Sequence, residues 1–172
     1  MRKIKASFDT TPLIYFTKAG FQENLVKLFQ IVIDSDVYRE AVLNGIRKGF
    51  ADALLLDKLV KQGKIEITSP QTDLTKYSTI YKLGFGELST ILLVKEGITD
   101  LAIIDDSYAR KVAKTLGLKV HGSLFVLKYA VKKHEITPHE ALQVLHKMIK
   151  KGFWLNPEIV TTFQKNLQKY QH

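Results

Sequence analysis

The feature that most constrains the fold is a run of four apolar residues, Leu101–Ile104, followed at once by two carboxylates, Asp105 and Asp106. A short, uninterrupted apolar run indicates a strand buried on both faces, as in a parallel sheet covered by helices. A segment with helical spacing follows from Ser107, so the two carboxylates lie between a strand and a helix. In open α/β folds this position is the carboxyl edge of the sheet, where ligands bind. The two carboxylates therefore either bind a positive group or cap the next helix.

Strand and helix patterns alternate along the rest of the chain. Strands are predicted at residues 4–8, 31–33, 65–68, 101–104 and 118–120. Alternation of this kind predicts a three-layer α/β/α sandwich with a central parallel sheet. We expect residues 1–172 to form a single domain, with its core at about 4–130 and extra C-terminal helices at about 137–170. The extension opens with the capping-box pattern Thr137–Glu140.

Two helix boundaries follow from turn residues. Thr11 is expected to cap the first helix, because Pro12 then occupies the first helical position, where its missing N–H costs nothing. Gly45 is expected to interrupt the helix that follows the second strand, since glycine weakens helix interiors.

The charge balance bears on partners. With 26 basic and 17 acidic residues the net charge is +9, which favours a polyanion such as RNA or DNA. A lysine-rich solvated surface is the alternative, because the basic residues are spread along the chain. The chain has no cysteine, so a metal site must use oxygen or imidazole ligands. No apolar run is long enough to span a bilayer and none resembles a signal sequence, so we expect a cytoplasmic protein without membrane contact.

Carboxylates follow several strand ends or turns. They are Asp9, Glu40, Glu87, Asp105 and Asp106. If they converge on one edge of the sheet they repel one another unless cations neutralise them, and carboxylate-plus-water ligation suits Mg²⁺ or Mn²⁺. Each acid can also be read as a helix cap or as a favourable charge at a helix N-terminus. Their spacing is more persuasive than any single member.

Four segments in order resemble the motifs of PIN-domain proteins, and most closely the branch related to VapC-type toxin ribonucleases. They are Asp9-Thr10-Thr11-Pro12-Leu13-Ile14, Val37-Tyr38-Arg39-Glu40, Gly84-Phe85-Gly86-Glu87-Leu88-Ser89 and Ile104-Asp105-Asp106-Ser107-Tyr108-Ala109-Arg110. The resemblance covers about residues 4–130. One departure is Asp34-Ser35-Asp36, which stands where many relatives have a proline-led turn.

The resemblance implies a Mg²⁺- or Mn²⁺-dependent endoribonuclease that hydrolyses RNA. Its catalytic acids would be Asp9, Glu40, Glu87 and Asp105, and its metal ligands Asp9, Glu87, Asp105 and Asp106. It leaves open which of Asp105 and Asp106 is the principal ligand, and we favour Asp105. It also implies a homodimer and, for a toxin, a small antitoxin partner. The competing hypothesis is a catalytically silent PIN-fold module that binds RNA or a protein.

Two polar residues near the acid pair are candidates for substrate binding. Arg110 is one helical turn past the pair, where it either contacts phosphate or forms an ion pair with Asp106. Ser123 follows Gly122, and it either approaches the carboxylates or simply caps the helix that begins there.

Overall fold

The computed structural model describes residues 3–169 and contains a five-stranded parallel sheet. The strands are β1 (Ile4–Phe8), β2 (Phe29–Ile33), β3 (Ile65–Ile67), β4 (Leu101–Ile103) and β5 (Val120–His121). Their order is β3-β2-β1-β4-β5, and every neighbouring pair is parallel. The predicted parallel α/β/α sandwich is confirmed. The last strand was predicted at 118–120 and begins two residues later.

Helices connect the strands and extend the chain beyond them. They are α1 (Thr10–Lys18), α2 (Gln22–Leu28), α3 (Ser35–Tyr38), α4 (Asn44–Arg47), α5 (Ala51–Lys61), α6 (Leu74–Tyr81), α7 (Phe85–Lys95), α8 (Ser107–Thr115), α9 (Ser123–Lys132), α10 (Pro138–Lys150) and α11 (Pro157–Gln168). A π-helical segment, Arg39–Leu43, joins α3 to α4 without a break. The helical extension predicted to reach residue 170 contains α10 and α11. Residue 170, like residues 1, 2, 171 and 172 of the predicted domain, lies outside the described residues.

The strand that organises the sheet is buried on both faces, as its sequence predicts. Leu101 and Ile103 pack into the larger apolar cluster on one face, while Ala102 and Ile104 pack into a smaller cluster on the other. This alternation follows from the two-residue period of a strand. The C-terminal helices contribute to the larger cluster, where Met148 of α10 is fully buried.

The predicted start of the first helix is wrong. Asp9, and not Thr11, occupies the N-cap position, and α1 begins at Thr10. The reason is that the backbone amide of Asp9 still donates to the carbonyl of Ile103 at 3.0 Å, so the sheet holds this residue in an extended conformation. The passage from strand to helix therefore takes a single residue.

The predicted interruption at Gly45 is also wrong, because α4 continues through it to Arg47. A Cβ atom at Gly45 would lie 2.6 Å from the Cβ of Ala53 in α5, which is closer than two carbon atoms can pack. Glycine here allows two helices to approach closely instead of ending one of them.

Within residues 3–169, no helix is long and apolar enough to cross a membrane.

Candidate active site

Four carboxylates from four different elements lie near one another at the carboxyl edge of the sheet. Asp9 follows β1, Glu40 lies in the π-helical segment, Glu87 is in the first turn of α7 and Asp105 follows β4. The charges of the last three all raise the pKa of Asp9, so the four share one electrostatic environment. Strand order explains this, since β1 and β4 are direct neighbours in the sheet.

Asp9 is the most buried of the four, with 6% of its surface exposed. Burial is the largest cause that raises its pKa, from 3.8 to about 7, and the three neighbouring carboxylates add to it. The backbone amide of Thr10 opposes the rise. Asp9 makes no side-chain capping hydrogen bond to α1, although it occupies the cap position. A buried acid that neither caps its helix nor pairs with a base is costly, which is typical of functional sites.

Glu40 faces Asp9 across a glycine. The hydroxyl of Thr10 donates to Glu40 Oε2 at 2.8 Å, which ties the π-helical segment to the start of α1. A Cβ at Gly86 would lie 3.5 Å from Asp9 Oδ1 and 3.6 Å from Glu40 Oε2, so both carboxylates stand directly over this residue of α7. π-helical turns concentrate at functional sites, and this one sets the direction of Glu40.

Glu87 is half-buried and is held by its own helix. Its Oε2 accepts a hydrogen bond from the amide of Gly84 at 3.2 Å, as in a capping box. Burial, followed by the charges of Asp106 and Glu40, raises its pKa, and the Gly84 amide partly opposes this. Gly84 thus orients Glu87 without neutralising it.

Asp105 is held by two hydrogen bonds from Ser123. The amide of Ser123 donates to Oδ1 at 2.7 Å and its hydroxyl donates to Oδ2 at 2.6 Å. Burial raises the pKa of Asp105, while the two Ser123 bonds and the Arg110 charge lower it. A Cβ at Gly122 would lie 3.1 Å from Asp105 Oδ1, so only glycine gives this carboxylate its full space. The geometry agrees with an approach of Ser123 to the carboxylates, since Gly122 takes the N-cap position of α9.

Asp106 has a different environment from its neighbour. It is exposed, it occupies the N-cap position of α8, and its Oδ1 accepts from the amide of Ala109 at 2.7 Å. The predicted phosphate contact of Arg110 stays a prediction. Within residues 3–169, Arg110 forms no ion pair with Asp106. Its Nη1 donates to the backbone carbonyls of Ile104 at 3.0 Å and Asp105 at 2.5 Å, and so fixes the turn that carries the acid pair.

The segment Asp34-Ser35-Asp36, which stands where many relatives have a proline-led turn, begins α3. Asp34 Oδ1 accepts from the amide of Asp36 at 2.8 Å and caps α3, while Asp36 forms an ion pair with Arg39. Both contacts hold the chain at the start of α3.

The sequence motifs predict no role for Thr10 or for the space at Gly122, whereas the two glycines before Glu87 predict a close approach of the backbone, as Gly86 makes to Asp9 and Glu40. Thr10 could have been found, because a hydroxyl directly after a strand-end aspartate lies at the same edge. The role of Gly122 is visible only through the tertiary neighbours that a Cβ would meet.

A divalent cation fits the donors at this edge by their chemistry. Carboxylate oxygens are the ligands Mg²⁺ and Mn²⁺ prefer, and a cation would relieve the repulsion that raises the pKa of Asp9. Among residues 3–169, no three acidic or imidazole side chains stand close enough to hold one ion together. Mg²⁺ is ordinarily bound by one or two carboxylates and several waters, so this arrangement remains compatible with binding.

Comparisons with known proteins agree with the fold. A family model described as a PIN domain (DUF3368) matches residues 6–169. Among solved structures, PAE2754 from Pyrobaculum aerophilum is similar, with a TM-score of 0.53 and 14% identity over 75% of this chain and 98% of that chain. At this identity the likeness concerns the fold alone. No curated protein sequence matches the chain significantly.

Proposed function

Because this chain belongs to the PIN-domain family, we propose that it is a divalent-metal-dependent ribonuclease that hydrolyses RNA phosphodiester bonds. The observation that carries the proposal is the shared environment of Asp9, Glu40, Glu87 and Asp105. The four acids come from four elements, and no basic side chain is among the causes that shift the pKa of Asp9. A cation stabilises such an arrangement.

Each residue has a definite part in this proposal. One or two of the carboxylates Asp9, Glu87 and Asp105, together with waters, would hold Mg²⁺ or Mn²⁺, which would supply a more acidic bound water and neutralise charge on the phosphate. Glu40, which Thr10 orients by a hydrogen bond, would accept a proton from the attacking water. Ser123 and Arg110 keep Asp105 in position through its side chain and its backbone. Asp106 maintains the start of α8, and its charge acts on Glu87.

The net charge of +9 supports RNA as the substrate, because phosphate contacts supply most of the affinity for a nucleic acid. The relation to VapC-type toxins, a small antitoxin, a homodimer and a cytoplasmic location stay predictions.

The second candidate is a PIN-fold module that binds RNA without turnover. The separation of the carboxylates favours it, because no three of them in residues 3–169 gather around one point. A pKa of about 7 also leaves Asp9 partly protonated at neutral pH, which weakens its use as a ligand.

Cleavage of a fluorescent single-stranded RNA with Mn²⁺, with Mg²⁺ and with EDTA separates the two candidates. The nuclease requires cleavage with metal, none in EDTA, and loss of activity in both Asp9→Asn and Asp105→Asn. Glu158→Gln, which removes an exposed carboxylate in the first turn of α11, is the matched control and should keep full activity. RNA binding without metal-dependent cleavage would favour the binding module.

A further inference from the structure

Tyr108 presents a fixed aromatic ring beside the carboxylates. It lies in the first turn of α8, with 49% of its surface exposed. Its hydroxyl nevertheless donates to the backbone carbonyl of Tyr81 at 2.9 Å. An exposed ring whose far end is held in this way has already lost much of its conformational freedom, so a ligand that stacks on it orders little more.

The ring connects the two segments that carry Asp106 and Glu87. Tyr108 is two residues after Asp106, and the carbonyl it binds ends α6, just before the turn that leads to Gly84. The charge of Asp106 acts on Glu87, so the two segments lie close together. A ligand on the ring would therefore have its neighbouring groups at the carboxylate edge.

A second aromatic ring is exposed in the segment that leads from α6 to Glu87. Phe85 is the first residue of α7, two positions before Glu87, and 42% of its surface is exposed. Phe85 is therefore accessible to a ligand that reaches the start of α7.

Two lysines flank Tyr108. Lys111 is exposed three residues further along α8, on the same helix face as the ring. Lys82 is exposed, directly follows Tyr81 and has φ +52°, in the left-handed region that glycine normally occupies at a helix end. Within residues 3–169 neither ammonium group forms an ion pair. Both charges are therefore available to a phosphate.

We propose that Tyr108 stacks on an unpaired base of single-stranded RNA, with Phe85 as a second stacking surface and Lys82 and Lys111 on the adjacent phosphates. The rings accept any base, because every base has a π-face, and they require the strand to be unpaired. This inference rests on the proposed function for its substrate class and names the conformation of RNA that the site accepts.

Tyr108→Phe and Tyr108→Ala are a matched pair that separates stacking from structure. The first removes the hydrogen bond to Tyr81 and keeps the ring, and the second removes both. The probe is a fluorescein-labelled 12-nucleotide single-stranded RNA, with its blunt duplex as comparison, and Kd is measured by anisotropy in EDTA. We expect Tyr108→Ala to raise Kd for the single strand by about 10-fold, within the range for one base on an aromatic ring, and Tyr108→Phe to stay within about twofold of wild type.

The other residues give independent measurements. Phe85→Leu keeps an apolar side chain without the aromatic ring, and it should raise Kd for the single strand only. Lys82→Gln and Lys111→Gln should each lower the slope of log Kd against log salt by about 0.7, the value for one phosphate on a single strand. Lys82→Gly should do the same while raising the melting temperature, because it relieves the backbone strain.

Unchanged single-strand binding in Tyr108→Ala would overturn the proposal. Equal losses in Tyr108→Phe and Tyr108→Ala, in step with lower melting temperatures, would also overturn it by assigning Tyr108 a structural role. Equal effects on the single strand and the duplex would do so as well. Because binding is measured in EDTA, these outcomes are distinct from failure of the nuclease, which is an absence of cleavage by wild type with any metal.

Discussion

Ser123 donates hydrogen bonds to both oxygens of the Asp105 carboxylate, from its amide at 2.7 Å and from its hydroxyl at 2.6 Å. This fixes the carboxylate plane at the end of β4 and lowers a pKa that burial raises. Ser123 is the first residue of α9, so the start of this helix orients the carboxylate that follows β4.

Ser123→Ala should lower the activity by about 10- to 100-fold, which is typical when a ligand loses a hydrogen-bonding partner. The hydrogen bond from the backbone amide of residue 123 remains, so the loss of activity should be smaller than for Asp105→Asn. The measurement is kcat against Mn²⁺ concentration, and we expect a higher metal requirement. Unchanged metal dependence would mean that the Ser123 hydroxyl does not position a metal ligand.

Asp105→Asn and Asp106→Asn should differ widely although the residues are adjacent. Asparagine caps helices as well as aspartate does, so Asp106→Asn keeps the bond to Ala109 and should lower activity only a few-fold. Asp105→Asn removes a partly buried negative charge that Ser123 and Arg110 position, and it should cost more than about 100-fold, beyond the usual loss for an outer partner. Asp106→Ala should instead lower the free energy of unfolding by about 1 kcal/mol. The reverse order of activities would assign the ligand to Asp106.

Gly122→Ala should impair the site, and Gly84→Ala is its control. Both glycines are N-cap residues in extended conformations with negative φ, so neither substitution strains the backbone. The added Cβ would lie 3.1 Å from Asp105 Oδ1 at Gly122, whereas the nearest atom at Gly84 is Glu87 Oε2 at 3.7 Å. We expect a clear loss of activity in the first variant and near wild-type activity in the second. Circular dichroism melts show whether each remains folded, and equal activities would contradict the steric argument.

The sheet and the identity of the candidate acids could be predicted because both depend on local patterns. An apolar run such as Leu101–Ile104 has few alternatives to a buried strand. The π-helical segment around Glu40 could not be predicted, since no residue type specifies it. The predicted helix interruption at Gly45 is wrong because the neighbour that requires a glycine, Ala53, is brought close only by tertiary packing. The contacts of Arg110 with backbone carbonyls are equally invisible in a sequence, because they depend on the path of the turn after β4.

Asp9→Asn should stabilise the metal-free protein, and by more at higher pH. The pKa of Asp9 is 3.8 in the reference state and about 7 in the fold, so the folded state holds its proton more tightly. Stability from this group is therefore complete only well below pH 3.8 and is lost as the pH rises from there to about 7, above which the fold bears a buried charge. At about 1.4 kcal/mol per pH unit, the difference in the free energy of unfolding between Asp9→Asn and wild type approaches roughly 4 kcal/mol at pH 8.

Urea unfolding of wild type and Asp9→Asn in EDTA at pH 4.5, 6 and 8 measures this difference directly. We expect the free energy of unfolding of the variant to exceed that of wild type by only about 1 kcal/mol at pH 4.5 and by a growing margin up to about pH 7, because asparagine fills the same space without a charge. Mn²⁺ should then reverse the order at pH 8, since a cation that binds only the folded carboxylate form stabilises wild type alone. Glu158→Gln, at an exposed position, should follow wild type under every condition. An Asp9→Asn variant less stable than wild type in EDTA at pH 8 would mean that the carboxylate is satisfied by the protein itself, and the need for a cation at this edge would be lost.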